Sequence, residues 1–303
     1  MRLSRPTAGF TRSRLTSLAV DIAVVDHRSV KAPAQLAASL RSTGFAVLVN
    51  HPIPAELIST VQGEWLAFFD SDAKFDFLPD PGHQDGFHPM SVAETAIGAD
   101  APDLKEFFHW YPWGRQPPQV GPSAAELHRL ASRLGAEVLG WVEQSTPPEV
   151  AAGFPMPLAA MLDGSTRTLL RILRYPPLTG DEPPAAVRSM AHEDVNLLTV
   201  LPAATDPGLQ VRDIQGRWHD VPGDPGSVVI NAGDMLQLLS GGLYPSTTHR
   251  VVNPEGEAAR RSRVATPLFL HPADRVELEP GVTAFDFLRE RLRRIRGIEL
   301  AET

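Results

Sequence analysis

The 303-residue chain has no cysteine. Disulfides, zinc–thiolate centres, iron–sulfur clusters and thiol nucleophiles are excluded together, so any metal must be held by His, Asp, Glu or water. Lysine is nearly as scarce, with Lys31, Lys74 and Lys105 the only examples. The formal net charge is −8, so the chain lacks the basic surface that nucleic-acid affinity requires. No apolar run is long enough for a membrane span or a secretory segment. No nucleic-acid and no membrane partner is therefore expected, and the expected location is cytoplasmic.

A 43% hydrophobic and 21% charged composition is ordinary for a globular chain that buries a core without staples. Arg2, Arg5, Arg12 and Arg14 mark residues 1–14 as a basic tail. Residues 33–42 read as a helix with Pro33 in its first turn and Gly44 past its end. Phe45–Asn50 follows as an apolar strand, and a second helix occupies 51–70. Residues 70–122 read as long loops with brief helical turns, among them DLKEFF at 103–108. SAAELHRLASRLGAEVLGWVEQ, 123–144, is the clearest helix, with a Ser123/Glu126 capping box and apolar residues at helical spacing. Residues 15–150 thus form a helical and loop region.

Beyond Pro155 the pattern becomes β-rich: 168–175, 196–201, 208–213, 216–221, 227–231, 235–240, 246–253 and 263–270. Closely spaced strands without long helices between them indicate an antiparallel sandwich or barrel. The fold class is mainly β with flanking α-helices, the core spanning 151–280 and an amphipathic helix closing the chain within 281–303.

HEDVNLLTVL, 192–201, places a histidine and two acids before an apolar run. Buried charge needs a partner, and a metal ion is one; an exposed strand end without function is the alternative. About one His-x-acid triplet is expected by chance and two occur, the other being His83-Gln-Asp85 in a turn-rich stretch. In extended backbone His192 and Asp194 share a face while Glu193 points away. His249, within the β-branched run STTHRVV, is the candidate third ligand. Two histidines and a carboxylate suit non-haem Fe(II) chemistry but also hydrolytic zinc, and residue types alone leave both open.

At this point STGFAVLVNHPIP, LRILRYPPL, HEDVNLLTVL, GDMLQLLSGGLYPSTTHRVVNP and SRVATPLFLHP, in this order, resemble the isopenicillin N synthase-like family of Fe(II)/2-oxoglutarate-dependent oxygenases. The resemblance implies a double-stranded β-helix (jelly-roll, cupin-like) core, with His192, Asp194 and His249 as iron ligands. It implies 2-oxoglutarate and O₂ as co-substrates, with Arg263 at the distal carboxylate and Arg260 and Arg261 as weaker competitors. The family's Arg-x-Ser serine is replaced by Ala265, which puts Tyr175 forward as the second donor and keeps open an oxidase that does not use 2-oxoglutarate. A non-catalytic jelly-roll binding module is the remaining alternative. Because Asp194 is present, hydroxylation, desaturation or cyclisation is implied rather than halogenation.

The expected substrate is a small metabolite, such as an amino-acid- or peptide-derived natural-product intermediate, and a monomer is favoured. Candidate substrate residues are Phe87, Phe108, Trp110, Tyr111, Asn196, Asn231 and Arg174, with His88, His109, Trp113 and Arg171 alongside.

Overall fold

The computed structural model describes residues 22–79, 84–90 and 103–296. The basic tail and His83 lie outside them. Among the described residues there are six α-helices: α1 (Ala32–Thr43), α2 (Ala55–Phe69), α3 (Ser123–Gln144), the short α4 (Pro148–Ala151), α5 (Asp234–Leu239) and α6 (Ala284–Arg296). The strands of the N-terminal half are β1 (Val24–Asp26), β2 (Phe45–Val49), β3 (Gly86–His88) and β4 (Glu106–Trp110). Those that follow are β5 (Leu169–Tyr175), β6 (Ser189–His192), β7 (Leu198–Pro202), β8 (Leu209–Arg212) and β9 (Trp218–Asp220). Then come β10 (Val228–Ala232), β11 (His249–Val251), β12 (Arg263–Ala265) and β13 (Leu268–Leu270), and a separate two-stranded pair, β14 (Glu277–Glu279) and β15 (Val282–Thr283).

Nine strands form the large sheet in the order β1-β2-β10-β7-β13-β5-β4-β3, with β12 also on β5; a second sheet runs β6-β11-β8-β9. Apart from the parallel β1–β2 pair, these strands are antiparallel. One face of the large sheet carries α1, α2 and α3, and the main core lies there, around Leu36, Trp65, Phe68, Leu134 and Ile172. Its other face meets the small sheet. Phe45 and Val229 pack with Val211, while Phe107, Leu173 and Tyr175 pack with Val251. Both faces being buried explains the apolar character of β10 and of β5 outside its two arginines. This is a jelly-roll sandwich of the double-stranded β-helix type.

Four local expectations are corrected. Residues 103–108 are not a helical turn: β4 starts at Glu106, and its alternation supplies a different side chain to each face. Residues 235–240 form α5 rather than a strand, a short apolar run that periodicity alone does not resolve. The segment 263–270 is two strands, because Pro267 has no N–H to continue a ladder. The Ser123 capping box is absent: Pro122 occupies the N-cap position, the Ser123 hydroxyl bonds the Glu64 carboxylate, and Glu126 pairs with Arg129 at 2.6 Å. The N-terminal half also contributes β1 to β4 to the large sheet, so it is part of the β architecture rather than only helices and loops.

Gly44 connects this architecture to the site. It ends α1 at φ +72°, and a Cβ there would collide with Thr247 Oγ1 and lie 2.6 Å from the Pro245 carbonyl. Glycine is needed for the left-handed backbone and for the close approach of the segment before β11. Gly44→Ala is expected to lose about 2–4 kcal/mol, combining φ strain with overpacking, as read by urea unfolding.

Candidate metal and co-substrate site

The HED triplet bridges the two sheets. His192 is the last residue of β6 in the small sheet, Asp194 lies in the connection, and β7 begins the return into the large sheet. His249 opens β11 and is the register partner of His192, so the two rings lie 4.3 Å apart between centroids. Phe45 of the large sheet meets the His249 ring edge-on at 5.5 Å. Asp194 Oδ1 stands 3.8 Å from His249 Nε2 and 4.0 Å from His192 Nε2. The potential ligand atoms of all three lie within 4.8 Å of one another.

The surrounding hydrogen bonds leave the right atoms available. His192 Nδ1 faces the Met190 carbonyl at 2.8 Å, and His249 Nδ1 faces that of Thr247 at 3.1 Å. Each ring can donate there and keep its Nε2 lone pair for an ion, which is how histidine ligands are usually oriented. Asp194 Oδ2 accepts from the Thr199 hydroxyl at 2.6 Å and from Asn231 Nδ2 at 2.8 Å, so Oδ1 remains directed at the histidines. Burial would raise the Asp194 carboxyl, but His249, His192 and these two bonds hold it below its ordinary value. Burial and then repulsion from His249 push His192 down to about 4, so it is neutral at pH 7 and competent as a ligand. The donor set therefore fits a divalent ion with its opposite coordination positions open. Glu193 is exposed and accepts from the Thr248 hydroxyl, away from this cluster.

An inner cavity leads from the triad between the sheets to Tyr175 and Arg263. These two are register partners across β5 and β12, and the Arg263 guanidinium carbon lies 5.1 Å from the Tyr175 ring centre. Arg263 is 3% exposed. Its Nε donates to the Asp206 carbonyl at 2.8 Å, while Nη1 is enclosed and has no hydrogen-bond partner. A buried, unsatisfied guanidinium nitrogen on the wall of a cavity is the feature of an anion site. Arg261, by contrast, is directed outward to Asp206 at 2.8 Å. Ala265, two residues on along β12, adds no donor to this wall.

An outer cavity opens on the other side of the triad, lined by His109, Tyr111, Arg171, Phe269, His271 and Leu292 among others. Strand parity decides which aromatic residues reach it. On β4, His109 faces this cavity and is followed on the same parity by Tyr111. Phe108 and Trp110 face the main core, where Phe108 packs on Trp65, and Phe87 is buried there too. The substrate roles expected for Phe87, Phe108 and Trp110 are therefore corrected.

On β5, Arg171 faces the cavities, whereas Arg174 faces the opposite side and binds Glu106 at 2.8 Å and Asp70 at 2.6 Å. Asn231 supports Asp194, and the Asn196 amide donates to Thr199 Oγ1 at 2.9 Å. Asn231 is thus tied into the support of the triad, whereas Asn196 braces Thr199 and also lines the outer cavity, its Oδ1 without a hydrogen-bond partner. Arg171 sits at the junction of the cavities, over the rings of Phe107 and Phe269, with its Nε on His109 Nε2 at 3.0 Å. Thr199, Lys105 and His271 also line or support this region without having been singled out from sequence. Parity along FLHP, which puts His271 on the face of Phe269, was the available signal for His271; Thr199, five residues from Asp194, is not indicated by strand parity.

Residues 167–272 match the model of the 2OG-Fe(II) oxygenase superfamily, and residues 19–128 that of the non-haem dioxygenase N-terminal region described from morphine synthesis. A solved structure described as an oxygenase from Shewanella oneidensis is 46% identical, with a TM-score of 0.82 and coverage of 91% of this chain and 99% of that one. Flavanone 3-dioxygenase 2 of Oryza sativa subsp. japonica is 30% identical over 91% of this chain and 81% of its own length. Homoarginine-6-hydroxylase 2-ODD-C23.1 of Arabidopsis thaliana is 27% identical over 72% and 71%, respectively. Likeness of this extent, along both halves of the chain and to a whole solved structure, means that the chain belongs to the 2-oxoglutarate/Fe(II) oxygenase superfamily.

Proposed function

We propose that the chain oxidises an unactivated C–H bond of a small acidic metabolite, using iron held by His192, Asp194 and His249 and 2-oxoglutarate held in the inner cavity. One observation carries this reading: the three donor atoms stand at the junction of two cavities, and the inner one ends on a buried arginine with an unsatisfied N–H. That cation also favours 2-oxoglutarate use over an oxidase that dispenses with it. When bound, iron and 2-oxoglutarate supply the O₂ activation that such oxidation needs, with succinate and CO₂ as co-products.

The protein's own part is orientation. Arg263 fixes the far carboxylate of the co-substrate, with Tyr175 offering a phenolic donor beside it. The backbone carbonyls of Met190 and Thr247 hold the two imidazoles, and Thr199 and Asn231 hold Asp194. Phe269 and Leu292 supply apolar wall that limits water near the reacting carbon. Arg171 at the junction receives the acidic group of the substrate. An amino-acid- or peptide-derived acid fits this arrangement, and the relative named for homoarginine hydroxylation suggests the same class.

The direct test is anaerobic addition of Fe(II) and 2-oxoglutarate, then O₂ with a library of small acids. An absorption band near roughly 500 nm followed by substrate-dependent succinate release is expected. A protein that binds both but releases no succinate with O₂ would not be this oxygenase. With a substrate in hand, Arg171→Leu is expected to raise its KM by on the order of tenfold or more, and to raise the KM for 2-oxoglutarate less.

A further inference from the structure

Three cationic side chains lie in or beside the Tyr175 end of the inner cavity: Lys105 and Arg263 on its wall and Arg188 behind Tyr175. Lys105, 3% exposed, is answered by Asp103 at 2.7 Å. Arg263 and the fully buried Arg188 have no carboxylate ion-pair partner among the described residues. Arg188 precedes β6; its backbone N–H donates to Asn253 Oδ1 at 2.9 Å and its Nη2 to the Arg261 carbonyl at 3.2 Å. Its Nε and Nη1, like Nη1 of Arg263, are enclosed without a hydrogen-bond partner. The two guanidinium carbons lie 6.0 Å and 5.1 Å from the Tyr175 ring centre. Burial, and then the charge of Arg263, lower Arg188 from its ordinary value, with Asp206 and Tyr175 offsetting part of the effect.

Three unsatisfied guanidinium nitrogens around one tyrosine are expensive for the ligand-free fold. The same charge is favourable once an anion enters. Ala265 offers no donor on this wall, so a carboxylate held by Arg263 depends on the groups around Tyr175 for the remaining field.

We propose that Arg188 is a second cation of the co-substrate end, a positioning residue that selects for a ligand with a terminal carboxylate through its charge beside Tyr175 and Arg263. This inference rests on the reading of the inner cavity as the 2-oxoglutarate site. Arg188 does not line that cavity and acts across Tyr175, without touching the ligand. At an effective dielectric constant near 20, a charge several ångströms from a carboxylate changes its affinity by on the order of tenfold or more.

The test compares 2-oxoglutarate with 2-oxopentanoate, which has the same keto acid and no distal carboxylate. Binding of each to the full chain loaded with Fe(II) is measured anaerobically by calorimetry. Arg188→Met is expected to weaken 2-oxoglutarate by about tenfold and leave 2-oxopentanoate unchanged. The melting temperature of the ligand-free protein should rise by roughly 2–5 °C, since a buried unpaired charge has been removed. A residue serving only to hold the fold would instead lower that temperature and spare the discrimination. If Arg188→Met does not fold, Arg188→Lys and Arg188→Gln replace it: the first keeps the preference to within about threefold, the second loses it. Equal discrimination in wild type and the charge-free variant overturns the inference alone. Wild-type protein that binds iron but neither keto acid overturns the co-substrate reading and this inference with it.

Discussion

Asp194→Ala is expected to abolish stoichiometric Fe(II) binding and, with it, succinate formation. The side chain is 7% exposed and contributes the oxygen that both histidine Nε2 atoms face. Truncation removes a ligand and also orphans the Thr199 hydroxyl and the Asn231 amide, which both now donate to it. The remaining two histidines bind a divalent ion weakly, so affinity falls by more than the roughly 10–100-fold seen when a supporting partner of a ligand is lost. The orphaned donors add a stability loss of about 1–3 kcal/mol. Metal titration followed by calorimetry, with circular dichroism to confirm the fold, reads both effects. Glu193→Ala is the matched control, since that acid is exposed and bonded to Thr248, and it should bind iron as wild type does. Normal turnover by Asp194→Ala would show that the ligand set is wrong.

Arg263→Met is expected to raise the KM for 2-oxoglutarate by on the order of a hundredfold while iron affinity stays within twofold or so. The size follows from what is lost: a buried, charge-assisted fork whose free Nη1 has no other partner to turn to. Methionine fills much of the same volume, so the cavity wall between Tyr175 and the Asp206 carbonyl is kept while the charge is removed. At saturating 2-oxoglutarate the turnover number should recover much of its wild-type value, because the residue sets binding and orientation and stands at the far end of the cavity from the triad. An unchanged KM would place the co-substrate elsewhere. A loss confined to the turnover number would assign Arg263 a role near the metal instead.

The parts of this structure that were legible in sequence are those governed by local rules. Gly44 stops α1, the apolar runs at Phe45 and Leu198 become buried strands, and the His–Asp–His spacing brings its three side chains to one place. What escaped depends on which face a residue takes. In FFHWYPW the aromatic density was plain, but a one-residue difference in parity separates His109 and Tyr111 at the cavity from Phe108 and Trp110 in the core. The same rule distinguishes Arg171 from Arg174, and neighbouring acids just past α2 and on β4 hold the latter in ion pairs. MLQLLS is too short for periodicity to separate helix from strand, and packing decides. Arg188 lay in a loop with no motif around it; only the three-dimensional crowding of its charge with Arg263 draws attention to it.

The position of the triad astride two sheets has a mechanical consequence. His192 and His249 are anchored in the small sheet, whereas Asp194 is tethered through Thr199 on β7 and Asn231 on β10 to the large one. An ion shared among them is a rivet through the sandwich, and opening the seam between the layers means tearing it out. By linkage, whatever affinity the closed sandwich gives the ion is returned as resistance to unfolding, about 2.7 kcal/mol at a hundredfold excess over the dissociation constant. Chelation should thus loosen the molecule as well as silence it, and the slack should appear first where the layers part, in the amide exchange of β6 and β11.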